Sequence, residues 1–480
     1  MIKKIFSHSS LYTVANHLPI FANIIILPII TPYLTKEDYG IYGLTFAYLG
    51  GLSAFSMLGI QVLLQNSFFK KNEFYKEIWA KYYGILIIWR LIYSTTALLL
   101  FYFLFMEKIG DDLFVYLILV FVPVLFFDLT KTIGTRYCQY EGKHQYVYIT
   151  SFIASVFTVF TSFISIYYFR LGYLGFLIAS AVSGFIQFLF YFFLIHFKLR
   201  IIPNFSYSKK FVFDTLRVSL PIIPHSFSGY LLNTSDRLVL DLNNISLNNI
   251  GRYNIAYNFS NYFESFNNSM NSVLSPLYFK LFALKDQAKS KKLVNSLTIL
   301  WFMFLWILCS LISIWCKEIL TFLYRNPDFN DIYQYVPFLL VGMMYRPFYV
   351  ACVDKNIFLE KTKSILLISV GGGGINLILN LILIPIYGIE AALYTTFLSY
   401  LYMGFAGFYI QSLKKNVDFN YPPILFIIII CLTLFLGLLI KDVNLTIKIS
   451  LTIFIILTLI IIYKYKLSSF IKELNKENLI

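Results

Sequence analysis

Five ionisable residues, Arg90, Asp128, Lys131, Glu264 and Arg346, lie inside long apolar stretches of this chain. A charge at bilayer depth is costly and marks an ion or substrate path, a proton relay or a buried ion pair. Arg90, Glu264 and Arg346 fall near the middle of their segments, and Arg90 and Arg346, too deep to snorkel, are expected to line an aqueous cavity. Two guanidinium groups there would hold an anion. Asp128 and Lys131 are three residues apart on one helical face. They form either a self-neutralising pair, with Lys131 reaching the headgroups, or part of the cavity. Asp236 and Arg237 lie near the outer end of their segment, as interfacial residues or as part of a site.

The stretch 254–272, "NIAYNFSNYFESFNNSMNS", is the least lipid-like of the spans. Asn254, Asn258, Asn261, Ser265, Asn268 and Ser272 recur every three or four residues as one stripe, beside a second stripe of Ser260, Glu264, Asn267 and Asn271. Turning these amides to hydrocarbon would cost several kcal/mol in all, roughly 1–3 kcal/mol each. They either glue helices together or line a hydrophilic wall. Asn offers both donors and acceptors, which suits sugar hydroxyls.

The elements that must position these groups are read from composition first. The chain has 480 residues, 59% hydrophobic and 13% charged, about half the charge of an ordinary soluble domain. Several apolar runs exceed the roughly 18 residues a membrane helix needs, and the short alternating segments of a membrane β-barrel are missing. The expected fold is an all-α polytopic membrane protein of about fourteen transmembrane helices, near 11–34, 40–65, 80–105, 113–136, 146–169, 173–197, 213–241, 250–276, 294–316, 333–354, 364–386, 390–411, 423–440 and 447–464. The basic, then apolar N-terminus has no small-residue cleavage site and reads as the first helix. Loop charge checks the count: alternate loops and both termini carry 26 Lys/Arg, the opposite set 8. That asymmetry puts both termini in the cytoplasm. It also explains the net charge of +15 without nucleic acid.

The outer turn "YLTKEDYGIYG" (33–43) returns as "NISLNNIGRYNIA" (244–256), and "RLGYLGFLIAS" (170–180) returns as "IYGIEAALYTT" (386–396). Their offsets, 211 and 216, imply two six-helix halves in the same orientation, a parallel repeat. The expected domains are 1–205, 206–415 and a two-helix appendage, lipid-facing, with a cytoplasmic tail over 416–480. Equivalent helices of the two halves carry Pro19, Pro28 and Pro32, and Pro221 and Pro224. Proline removes a helix hydrogen bond and kinks the helix, so Pro19, Pro28, Pro221 and Pro224 are candidate hinges. His17 and His225 beside them read as structural hydrogen-bonders. "GGGG" (371–374) follows no strand and reads as a close-packing or bending site rather than a phosphate loop. Five separated cysteines without CxxC spacing read as buried hydrophobes, and no metal, cofactor or catalytic residue is expected.

In order and spacing, "PYLTKEDYGIYGLTFAY", "RYCQYEGK", "SLPIIPHSFSGYLLNTSDRLVL", "IGRYNIAY" and "INLILNLILIPIYGIEAALYTT" resemble the polysaccharide repeat-unit (O-antigen type) flippases of the multidrug/oligosaccharidyl-lipid/polysaccharide exporter superfamily, over roughly residues 5–411. The resemblance implies two lobes around a cationic cavity in the bacterial inner membrane. It implies transfer of an undecaprenyl-diphosphate-linked oligosaccharide to the periplasmic leaflet by alternating access, in lipopolysaccharide or related synthesis. It further implies coupling to H+ or Na+, and polymerase and chain-length proteins as partners beside the membrane lipids. Arg90, Arg346, Lys131, Arg237, Asn254, Asn258, Asn261 and Asn268 would then contact substrate, and Glu264, Asp128 and Asp236 the coupling ion. The mid-membrane basic residues are few for such a cavity. A cation antiporter of the same superfamily is the alternative, disfavoured by its arginines. A glycosyltransferase or polymerase is disfavoured because the longest outer segment, 317–332, is short.

Overall fold

The structure is a computed structural model that describes residues 22–70, 74–359, 362–413 and 421–476. Pro19 and His17 lie outside the described residues. Every regular element among the described residues is helical, and they form two compact units that divide between Phe227 and Ser228.

The first unit begins with α1 (Ala22–Tyr33), α2 (Lys36–Ser53) and α3 (Gln61–Lys70). The expected second helix, 40–65, stops at Ser53 because the chain turns before α3 through Leu58 and Gly59, both at positive φ. There follow α4 (Tyr75–Ile109), α5 (Leu113–Val122), α6 (Asp128–Tyr140), α7 (His144–Ser162), α8 (Tyr173–Phe192) and α9 (Lys209–Ser219). Thr35 caps α2: its Oγ1 accepts from the Asp38 N–H at 3.1 Å, while the Asp38 carboxylate accepts from the Thr35 N–H at 2.8 Å. That reciprocal pair is a capping box. The same carboxylate accepts from the Tyr173 N–H at 2.8 Å, so the charged turn fastens α2 to the start of α8.

The second unit holds most of α10 (Ile223–Asn233), then α11 (Ser235–Leu242), α12 (Leu247–Phe282), α13 (Gln287–Leu323), α14 (Val336–Gly342), α15 (Arg346–Phe358), α16 (Thr362–Tyr387), α17 (Ile389–Leu413), α18 (Pro423–Ile440), α19 (Leu445–Ile462) and α20 (Ser468–Lys476). The duplicated turns recur as duplicated geometry. Ser246 caps α12 by accepting from the Asn249 N–H, 211 residues after Thr35 and Asp38. Gly172 and Gly388, 216 residues apart, open α8 and α17 from positive φ, +53° and +61°. The hairpin α7–α8 has its counterpart in α16–α17. There the glycine run lets α16 approach closely: a Cβ on Gly372 would lie 2.4 Å from Met403.

Eight helical stretches among the described residues are long and apolar enough to cross a membrane, and one, Tyr75–Tyr140, doubles back at Gly110–Asp112. Polar α12, at 36 residues, has the length but not the composition to be among them. The expected helix over 213–241 is in fact three pieces, α9, α10 and α11. Pro221 sits in the 3-10 turn between α9 and α10 and Pro224 in the first turn of α10, where missing N–H groups cost least. Two further spans are interrupted midway. A π-helical turn, Pro123–Phe127, precedes α6, and a 3-10 turn, Met343–Tyr345, precedes α15. The helix containing Pro28 runs into a 3-10 turn, Thr31–Tyr33.

Candidate functional site

The interrupted helices bring charges to defined places. Asp128 and Arg346 each begin the 13-residue helix that follows its irregular turn. In the first unit Asp128 lies within electrostatic range of both Lys131 and, from α4, Arg90. Arg90 is 3% exposed, with its guanidinium 5.5 Å from the Tyr93 ring centroid and its Nε without a hydrogen-bond partner. Asp128 and Lys131 are half-buried.

In the second unit Arg346 donates from Nη1 to the Tyr345 hydroxyl at 3.1 Å and from Nη2 to Asn268 Oδ1. Its Nε is buried and unpartnered, and its guanidinium lies 5.8 Å from the Tyr349 ring centroid. Glu264, one helical turn before Asn268 on α12, faces the same guanidinium. The two stripes of α12 differ in environment. Ser260 and Asn267 of the second are buried, Asn267 to 1% exposure. Asn258, Asn261 and Ser265 of the first are half-buried, and Asn268 is exposed. Glu264 and Asn271 of the second stripe are half-buried as well, and Ser272 of the first is exposed.

Asn254, at the head of that stripe, is turned elsewhere. Its Oδ1 accepts from Arg237 Nε at 3.1 Å. Arg237 also donates to the Asn233 carbonyl at 3.3 Å, lies 3.6 Å from Asp236 and stacks 4.1 Å from the Tyr257 centroid. Asp236, fully buried, accepts from the Arg237 N–H at 2.8 Å and from the Tyr253 hydroxyl. Beside it runs a polar layer that the sequence reading passed over. Asn380 donates to Asn376 at 3.0 Å, Asn376 to Thr396 at 3.3 Å, and Thr395 to Asn380. Tyr253 faces Thr396 and so joins this layer to Asp236. The signal available was Asn376 and Asn380 at i,i+4 in "NLILN". Asp236, Arg237 and Asn254 are thus one cluster and Glu264, Asn268 and Arg346 another. Among the described residues no group of three or more His, Cys, Asp and Glu side chains could hold a metal ion.

The fold is that of the MOP superfamily of membrane transporters. The lipid II flippase MurJ in its inward closed conformation superposes with a TM-score of 0.67 at 15% identity, over 95% of this chain and 99% of that chain. An inward-facing multidrug resistance MATE transporter of the MOP superfamily gives 0.64 at 15% identity, over 84% and 95%. A mutant of the Vibrio cholerae MATE transporter VcmN gives 0.56 at 14%, over 87% and 98%. No curated protein sequence matches the chain significantly. The model of the family described as polysaccharide biosynthesis protein matches residues 1–282, and the chain belongs to that family, a multi-pass membrane protein.

Proposed function

We propose that the protein is a flippase that carries a polyprenyl-diphosphate-linked oligosaccharide repeat unit from the cytoplasmic to the outer leaflet by alternating access. The observation that carries this reading is the Arg346 centre: a guanidinium with an unused Nε beside a half-buried stripe of amides, in a chain of the polysaccharide biosynthesis family. The guanidinium takes the diphosphate through charge-assisted hydrogen bonds. Asn258, Asn261 and Asn268 take sugar hydroxyls, and the prenyl tail stays in lipid. Arg90 with Lys131 supplies a second cationic patch. Glu264, Asp128 and Asp236 are the carboxylates for a coupling proton or sodium ion. The helix break at Pro221, with Pro224 and Pro28 in the helices they enter, absorbs the conformational change. The protein resides in the bacterial inner membrane with both termini cytoplasmic, alongside polymerase and chain-length proteins, and its halves divide near 205 with helices added after 415. The MATE likeness supports a cation antiporter as second reading, but Arg90 and Arg346 repel organic cations.

Proteoliposomes loaded with a defined undecaprenyl-diphosphate oligosaccharide test this reading, with and without a proton or sodium gradient. Transfer to the opposite leaflet is expected, cut at least tenfold by Arg346→Ala and by Arg90→Ala with the protein still folded. Transfer no faster than in protein-free vesicles rejects the flippase, and unchanged transfer in both variants rejects the site.

A further inference from the structure

Among the described residues of α19, an apolar helix of 18 residues, only Lys448 is buried. A span so little covered by protein stands in lipid, and its ends lie near the headgroups. At the end away from Lys448 the chain turns through Tyr463–Leu467 into α20, which packs on α13. Phe470 and Leu474 of α20, one turn apart, are buried, Leu474 to 1% exposure. The Glu473 carboxylate pairs with Lys292 Nζ at 2.8 Å, close to the start of α13.

That clasp brings two basic segments together. Over 464–476 lie Lys464, Lys466, Lys472 and Lys476 with one carboxylate, Glu473; over 285–292 lie Lys285, Lys289, Lys291 and Lys292 with one, Asp286. Eight lysines against two carboxylates leave a formal charge of +6. Both carboxylates are engaged already, Glu473 by Lys292 and Asp286 as the N-cap of α13, where it accepts from the Lys289 N–H at 3.1 Å. Lys285, Lys464, Lys466 and Lys472 are exposed and form no ion pair among the described residues. Loop charge alone would orient a membrane chain without any fixed arrangement. Here the clasp supplies one, and the uncompensated charge calls for an anion. Tyr465, 68% exposed, and Ile471 stand among the lysines. Uncovered apolar side chains at headgroup level suit an anion that carries acyl chains, along which the lysine stems can lie.

We propose that this patch binds an anionic phospholipid, its headgroup phosphate among Lys285, Lys464, Lys466 and Lys472 and its acyl chains along α19. Lys292 and Glu473 position the patch by holding α20 to α13. The site shares no residue with the Arg346 centre or the Asp236 cluster. It depends on the membrane placement of α13 and α19 and not on what is transported.

The test uses the purified full-length chain in a non-ionic detergent without substrate, so its outcome is distinct from that of the transport assay. Thermal unfolding is followed as dioleoyl phosphatidylglycerol or dioleoyl phosphatidylcholine is added. Phosphatidylglycerol should raise the midpoint saturably, as a ligand of the folded state must. Phosphatidylcholine should act at least tenfold more weakly, and glycerol 1-phosphate, the headgroup without chains, should have no effect. Lys285→Gln, Lys464→Gln, Lys466→Gln and Lys472→Gln combined should raise the half-maximal concentration at least tenfold. Four basic residues removed from the first unit, by Lys198→Gln, Arg200→Gln, Lys209→Gln and Lys210→Gln, should leave it unchanged. Should the first fourfold variant fold poorly, binding of spin-labelled phosphatidylglycerol to monodisperse Lys464→Gln and Lys466→Gln replaces it, with at least twofold weaker affinity expected in each. An equal response to the two lipids overturns the proposal, as does a response to glycerol 1-phosphate that matches the lipid's. Unchanged affinity in the variants of the patch, or an equal loss in both fourfold variants, overturns it too.

Discussion

Arg237 and Arg346 are the same residue type with opposite dependence on their surroundings. Arg237 is 4% exposed, and its partners Asp236, Asn254 and the Tyr257 ring are all buried with it. Arg346 is half-buried and leaves its Nε unused. Removing Arg237 strands the buried Asp236 carboxylate without its ion-pair partner, a change that costs about 3–5 kcal/mol. Arg237→Ala should therefore lower the thermal midpoint steeply and reduce the protein that accumulates in the membrane. Adding Asp236→Asn should recover part of the loss, since the stranded charge is gone. Arg346→Ala should lower the midpoint less than Arg237→Ala, because Glu264 and Asn268 beside it are less buried than Asp236, while cutting transfer at least tenfold. Equal midpoints for Arg237→Ala and wild type would show that Asp236 is not the liability its burial implies.

The capped turns act at the scale of the element. Gly172 has a φ of +53°, and a Cβ built on it would lie 2.4 Å from Asp38 Oδ1. Gly172→Ala thus meets backbone strain and a clash with the carboxylate that fastens α2 to α8, together costing about 2–3 kcal/mol. A double variant with Asp38→Ala should lose less than the sum of the single changes, which a thermal-unfolding cycle measures; strict additivity would separate the two residues. This joint also marks how far the sequence could be read. The turn at 33–43, its echo and their offset were visible because capping residues and glycines repeat as residue types. Pro221 and Pro224 marked the stretch 213–241 for a kink, but its division into three pieces was not visible in them. The partner of Asp38 was not, since Tyr173 lies 135 residues away and contributes only a backbone N–H. Asn376, Asn380 and Thr395 escaped because scattered polar residues in an apolar span reveal their partners only once α16 and α17 are paired.

At the scale of the whole molecule, the helices after residue 415, expected as an appendage, belong to the second compact unit. They are tied to α13 by polar bonds: Trp306 to Thr433 and Trp315 to Thr452, both at 2.9 Å, and Lys448 to Glu318 at 2.7 Å. The loop between α18 and α19 adds Asp442, which accepts from the Tyr333 hydroxyl at 2.6 Å and from Lys317 at 3.0 Å. Those two hydrogen bonds, Tyr333 first, hold the Asp442 carboxyl below the usual range. A carboxyl with a depressed folded value stabilises the fold above its unfolded pKa, about 3.9. That stabilisation is lost as pH falls from about 5 through the folded value. Asp442 is largely open to solvent, so the contribution is small, about 0.2–1 kcal/mol. Thermal midpoints measured from pH 7 down to 3 should therefore fall less steeply below pH 5 in Asp442→Asn than in wild type. The variant should start slightly lower at pH 7, and the two curves should meet at the acid end. High salt should shrink the difference, because the Lys317 pair is screened. Parallel curves across the whole range would mean that Asp442 does not hold α18 and α19 to α13.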